Sequence, residues 1–181
     1  DQPAGLYAPS FRDNLARHDF TAPMSAILDL AEFSAALGDA FVVLVRGHAF
    51  NARRAERVGS YRNIVDVTDY PDVNELGLAS DAAILAYSSL RFVCGLAGKP
   101  MIYLVPDLAE YVGTYRGALF AYEPTAPGPW VTSGDEAADA VLNLAEISAK
   151  YAHAYAAFQQ TFLDLDDGKA SARLVDRVFE S

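Results

Sequence analysis

Three observations predict a doubly wound α/β domain with a parallel sheet. Residues 41–45 (FVVLV) form a continuous β-branched and aromatic run of the kind buried on both faces of such a sheet. Residues 80–92 (SDAAILAYSSLRF) pass from an apolar run through a hydroxyl-rich turn into a helical pattern, which makes a strand-turn-helix unit. Short apolar runs then alternate with helical periodicity along the chain, as repeated βα units require.

Taken in order, residues 5–8 (GLYA) are a short strand stopped at Pro9. The spacing of Ile27, Leu30, Ala31 and Phe33 predicts a helix over about residues 25–37, ended by Gly38. The strand at 41–45 delivers Arg46-Gly47-His48 at its C-terminal end. Residues 64–67 are a third strand and 72–78 a short helix, followed by the strand at 82–85 and a helical pattern through Leu90, Phe92, Val93 and Leu96. Residues 101–105 are a further strand, and 107–111 begin a loop or short helix. Residues 116–120 suggest a last strand, after which residues 126–129 (APGP) break regular structure. A single helical stretch is expected from Asp135 to about Phe162, and a final helix from Ala170 to Phe179.

With 52% hydrophobic residues in 181, the chain can build one buried core, so a single domain is expected. No apolar run approaches the roughly 20 residues needed to cross a bilayer. The chain opens at Asp1 without an initiator Met or an apolar leader, which gives the expectation of a piece of a longer protein. The single Cys94 excludes an internal disulfide and fits a reducing compartment; its apolar helical setting makes it a core residue rather than a nucleophile.

A net charge of -10 argues against nucleic acid, whose binders present a basic face. Within that acidic chain Arg46, Arg53, Arg54, Arg57 and Arg62 fall close together. They read either as a patch for one small anionic ligand or as a solvated arginine-rich face.

Ligands of open parallel sheets bind beyond the carboxyl ends of the strands, so residues just after strands are the candidates. His48 titrates near neutrality and suits a general base or a phosphate-stabilising cation, or it is a structural histidine; Arg46, two residues before it, suits a phosphate. Ser88 and Ser89 can cap the following helix and can also meet a phosphate beside its first amides. Arg12, after the first strand, can match a diphosphate bidentately, and Arg116 is a weaker candidate of the same kind. Asp107 and Glu110 have no spacing that specifies a metal site, and there is no zinc-ligand set, no phosphate-cradling P-loop and no G-x-S-x-G. Neither a metal nor a cofactor is expected.

The order of motifs then carries a resemblance. LYAPSFRDN, RGH, YPDVNELGLASD, AYSSLRF, GKPMIYLVPDLAEY, RGALFAYE, APGP and DGKASARLVDRVF follow one another across almost the whole chain. In that order they resemble the C-terminal half of the CDP-glycerol glycerophosphotransferases, the enzymes that build the poly(glycerol phosphate) of teichoic acids.

The resemblance implies a Rossmann-like, doubly wound sheet forming the C-terminal, donor-binding lobe of a glycosyltransferase-B-like fold, with an N-terminal lobe missing. It implies transfer of glycerol phosphate from CDP-glycerol to a growing polymer with release of CMP. His48 would serve as acid/base or charge stabiliser, and Arg12, Arg46, Ser88 and Ser89 would bind the donor phosphates. Ser80, Asp81 and Arg116 would contact the nucleotide or glycerol. The implied partners are CDP-glycerol or a related nucleotide donor, a polyol-phosphate polymer acceptor and the N-terminal lobe, and the implied setting is the inner face of the cell membrane, reached from the cytoplasm without a transmembrane segment. Three positions depart from the family pattern by replacing an acidic residue: Ala86, Val93 and Ala121. Two alternatives stay open, a transferase using CDP-ribitol or a nucleotide sugar, and a degenerate lobe kept for binding.

Overall fold

The computed structural model describes residues 2–10, 27–47, 61–115, 117 and 119–179. Among these residues six strands form one sheet: β1 (Ala4–Ala8), β2 (Val42–Val45), β3 (Ile64–Asp66), β4 (Ala82–Leu85), β5 (Met101–Leu104) and β6 (Trp130–Val131). Their order is β3-β2-β1-β4-β5-β6, and every neighbouring pair is parallel. β1 therefore lies between β2 and β4, with Tyr7 in register with Val45 on one side and Ile84 on the other. The chain builds outward from β1 to β3, then returns to the other side of β1 and builds to β6, so the strand order reverses at the β1/β4 junction.

Helices cover both faces. On one face α1 (Leu30–Leu37) and α4 (Gly134–Leu142) pack Phe33, Leu37, Ala137 and Val141 against Val43, Val45, Ile84, Ile102 and Leu104. On the other, α2 (Val73–Ala79), α3 (Leu90–Leu96) and α5 (Leu144–Phe162) pack Leu76, Leu90, Cys94 and Phe158 against Leu6, Ala83, Leu85, Met101 and Tyr103. Successive strand side chains alternate between these two cores, which is why the central strands read as unbroken apolar runs. The closing helix α6 (Ala170–Phe179) buries none of its side chains.

Three elements differ from the sequence expectation. The helix expected from residue 25 begins at Leu30, because the carboxylate of Asp29 accepts from the Ala31 amide at 2.8 Å and the Glu32 amide at 3.1 Å and so caps it. The helical stretch expected to run unbroken to Phe162 is two helices parted at Asn143, whose φ of -112° and ψ of 33° leave the helical region. The Asn143 side-chain amide donates to the Asp139 carbonyl at 2.8 Å and closes α4.

The third difference is the last strand. Among the described residues of 116–120 none is a strand, and Leu119 is 98% exposed. The sixth strand follows the Pro-Gly-Pro run instead: the Tyr103 amide donates to the Pro129 carbonyl at 2.9 Å and the Val105 amide to the Val131 carbonyl at 2.8 Å. Proline is tolerated there because the strand is an edge. Glycine is required, because a Cβ on Gly128 would stand 1.9 Å from the Met101 carbonyl oxygen.

Gly128→Ala is accordingly expected to destabilise the chain by about 3 kcal/mol, since the contact is with backbone that cannot step aside; urea unfolding checks it. Cys94 is fully enclosed, and burial pushes its thiol up to about 11. A thiol reagent at pH 8 should therefore label it only after unfolding.

Candidate functional site

The loops that leave the C-terminal ends of β1 and β4 meet at the reversal. Ser10, two residues past β1, accepts on its hydroxyl a hydrogen bond from the Tyr87 amide at 2.9 Å, joining segments 77 residues apart in sequence. Tyr87 donates its phenol to Asp107 beyond β5 at 2.8 Å and stacks on Tyr111, with ring centroids 3.7 Å apart. From below, the buried Tyr122 donates its hydroxyl to the Ala86 carbonyl at 2.7 Å and sets its ring against Tyr87. The loop of residues 86–89 is thus held by β1, β5 and the segment before β6.

The two serines of that loop differ. The Ser88 hydroxyl accepts from the Leu90 amide at 3.1 Å and is half-buried. Ser89 occupies the cap position in αR geometry, makes no capping bond and is exposed, so its hydroxyl is the one open to a ligand. The expected dual role is therefore divided between neighbours: one serine caps and the other is presented.

Arg46 leaves the same sheet edge from β2. β2 and β4 flank β1, so the backbones of Arg46 and Leu85, three residues before Ser88, stand roughly 10 Å apart, two strand spacings. The Arg46 amide donates to the Tyr7 carbonyl at 2.9 Å, and its guanidinium donates from Nη1 to the Tyr70 carbonyl. Gly47 donates to the Thr68 hydroxyl at 2.9 Å, which ties this loop to the one after β3.

Two candidates lie at the opposite edge. Ser80 is buried at the end of α2 and donates to the Leu76 carbonyl at 2.7 Å. Asp81 exchanges bonds with Ala4, its carboxylate accepting from the amide at 2.8 Å and its own amide donating to the carbonyl at 2.6 Å, which fastens the starts of β1 and β4. The four residues of β4, roughly 13 Å, separate both from Ser88, so the fold does not bring them to the crevice. Arg62, from the arginine cluster, also sits at that far edge and pairs with Asp39 at 3.3 Å on the surface.

Arg12, His48 and Arg116 lie outside the described residues, as do Arg53, Arg54 and Arg57. Among the described residues no group of three His, Cys, Asp or Glu side chains can hold a metal ion. No helix there is long and apolar enough to cross a membrane.

A sequence model described as CDP-Glycerol:Poly(glycerophosphate) glycerophosphotransferase matches residues 1–180. The chain belongs to this glycerophosphotransferase family. It is 32% identical over 180 residues to the teichoic acid glycerol-phosphate transferase of Staphylococcus aureus, covering 99% of the chain and 46% of that protein. It is 30% identical over 183 residues to the teichoic acid poly(ribitol-phosphate) polymerase of Bacillus spizizenii, covering 98% of the chain and 28% of that protein.

The solved structure of the wall teichoic acid polymerase TagF superposes with a TM-score of 0.84 at 31% identity, over 98% of the chain and 43% of that structure. The glycerophosphotransferase chain thus has the Rossmann-like, doubly wound architecture of a glycosyltransferase-B-like protein, and it spans less than half the length of these relatives.

Within this family member, sequence position alone does not mark Tyr87, Tyr111 and Tyr122 as site residues. They stand in the sequence only as the aromatics of AYSSLRF, LAEY and RGALFAYE, because nothing in spacing says that Tyr111 and Tyr122 pack against Tyr87 in one loop. Ser10→Ala removes the hydroxyl that accepts from the Tyr87 amide and is expected to cost about 1 kcal/mol of stability in urea unfolding.

Proposed function

We propose that this chain is the donor-nucleotide lobe of a CDP-glycerol glycerophosphotransferase, which transfers glycerol phosphate to the terminal hydroxyl of a teichoic-acid-like polymer and releases CMP. The observation that carries the reading is the hydrogen-bonded meeting of the β1 and β4 loops at the strand-order reversal, in a chain matched by the family from end to end. Ligands of open α/β sheets occupy the crevice at that junction.

The chemistry assigns the roles. An acceptor hydroxyl attacks the distal phosphorus of the donor, CMP leaves with the bond that joined the two phosphates, and the attacking oxygen must lose its proton. His48, just past β2, takes that proton or stabilises the phosphate charge. Arg46, Ser88 and Ser89 meet the diphosphate from the edge of β2 and β4, and Arg12, four residues past β1, closes on it bidentately. Arg116 contacts the nucleotide or glycerol. Facing this crevice, the remaining length of the enzyme forms an N-terminal lobe that completes the active site and receives the polymer acceptor. The complete enzyme works from the cytoplasm at the inner face of the membrane.

The 30% identity to a poly(ribitol-phosphate) polymerase supports a second reading, in which the donor is CDP-ribitol. Both readings place the same diphosphate on the same loop and differ in the alcohol.

Calorimetric titration of the chain with CDP-glycerol, CDP-ribitol, CMP and UDP-glucose separates them. CDP-glycerol should bind most tightly and UDP-glucose should not bind. Ser89→Ala, which removes the hydroxyl left open beside the loop, should weaken the cytidine ligands by about tenfold, about 1.4 kcal/mol. Preference for CDP-ribitol moves the assignment to the second reading, and preference for UDP-glucose overturns both. Joined to its second lobe, the enzyme should lose polymer synthesis on His48→Ala while keeping donor affinity.

A further inference from the structure

Arg91, in the first turn of α3 and two residues past Ser89, is placed against the usual logic of a core. Its guanidinium carbon stands 5.1 Å from the centre of the Tyr122 ring and 5.4 Å from that of Phe92. Two of its donor atoms, Nε and Nη1, are enclosed without a hydrogen-bond partner. Among the described residues no carboxylate pairs with it: Ala86, Ala121 and Val93 are apolar, and Glu123, the next residue after Tyr122, is exposed and makes no ion pair with it. An arginine in this setting costs stability, because desolvated donors go unanswered while a hydrophobic side chain of similar length would fill the space freely.

What it touches is the support of the site. Tyr122 carries the hydroxyl that pegs the Ala86 carbonyl, the last peptide before Tyr87, Ser88 and Ser89. Burial pushes the Tyr122 phenol up, and the Arg91 charge beside it opposes part of that rise, so the guanidinium acts on the hydroxyl as well as on the ring. In a chain of net charge -10, it is also a fixed positive charge against the ring whose hydroxyl holds the loop.

We propose that Arg91 is a positioning residue of the donor crevice: it braces Tyr122 and through it the Ala86–Ser89 loop, and it supplies the positive potential that an anionic diphosphate on that loop completes. The missing counter-charge is then the ligand's own. This assignment rests on the donor-binding reading for the identity of the anion, but not for the presence of an anion site.

Arg91→Met and Arg91→Lys, titrated with CDP-glycerol and with inorganic pyrophosphate at low and high salt, test it alongside urea unfolding. Arg91→Met should unfold at the same urea concentration as the unmodified chain or higher, yet bind CDP-glycerol about tenfold more weakly and with a shallower salt dependence. Arg91→Lys, which keeps the charge, should recover most of the affinity. Undiminished binding by Arg91→Met overturns the proposal, as does an affinity loss that tracks lost stability and is not recovered by Arg91→Lys. Arg91-dependent binding of pyrophosphate without any binding of CDP-glycerol upholds the anion site and removes the donor reading. Binding of neither ligand by the unmodified chain overturns both.

Discussion

Strand β1 is the constraint on which the rest depends. It is bonded along both edges, to β2 and to β4, and those two strands begin outgrowths of the sheet in opposite directions. The loops leaving β1 and β4 therefore cannot be covered by the same crossover helix, and open sheets of this kind receive ligands in the crevice at such a junction. Ser10 and Tyr87 close the floor of that crevice with one hydrogen bond, and Asp81 does the corresponding work at the other end, where it fastens the start of β4 to Ala4. A single strand with two partners thus places both the opening that can hold a ligand and the clasp that keeps the opposite edge shut.

The fold was largely legible because its core strands are buried on both faces. A run such as AAIL or MIYL admits few other readings, and the bounds of β4 and α6 were read as the structure has them. What the sequence pattern leaves hidden is local and physical. Asp29 lies between two leucines, so the periodic pattern hides the cap that starts α1 late. Gly128 reads as a breaker, whereas its missing side chain is what lets β6 lie against β5. At the site, residues adjacent to strand ends were found by position alone, as with Arg46 and Ser88. The tyrosines beneath the loop depend on contacts between segments 24 to 36 residues apart, as in the Tyr87–Tyr111 stack and the Tyr122–Ala86 bond, and no local pattern announces those.

Ala86 changes meaning in this setting. From the sequence it is a lost carboxylate at the mouth of a phosphate site; in the structure it is 3% exposed, and its carbonyl is the acceptor for Tyr122. The position contributes through its backbone, which any residue supplies, and its small side chain leaves no negative charge enclosed beneath the loop. The replacement therefore is compatible with a working anion site, and among the described residues it places no carboxylate beside Arg91.

Both margins of the sheet are brief. β3 offers three residues and β6 two, and β6 is entered through Pro127 and Pro129, which have no amide hydrogen to donate. Among the described residues such margins give an incoming strand little to pair with, which disfavours lengthening of the sheet and self-templated stacking between molecules. Any further protein mass, whether another lobe of the same enzyme or a second molecule, has to be received on the helical layers or across the crevice itself. Assembly is thereby directed toward the helical layers and the proposed donor crevice.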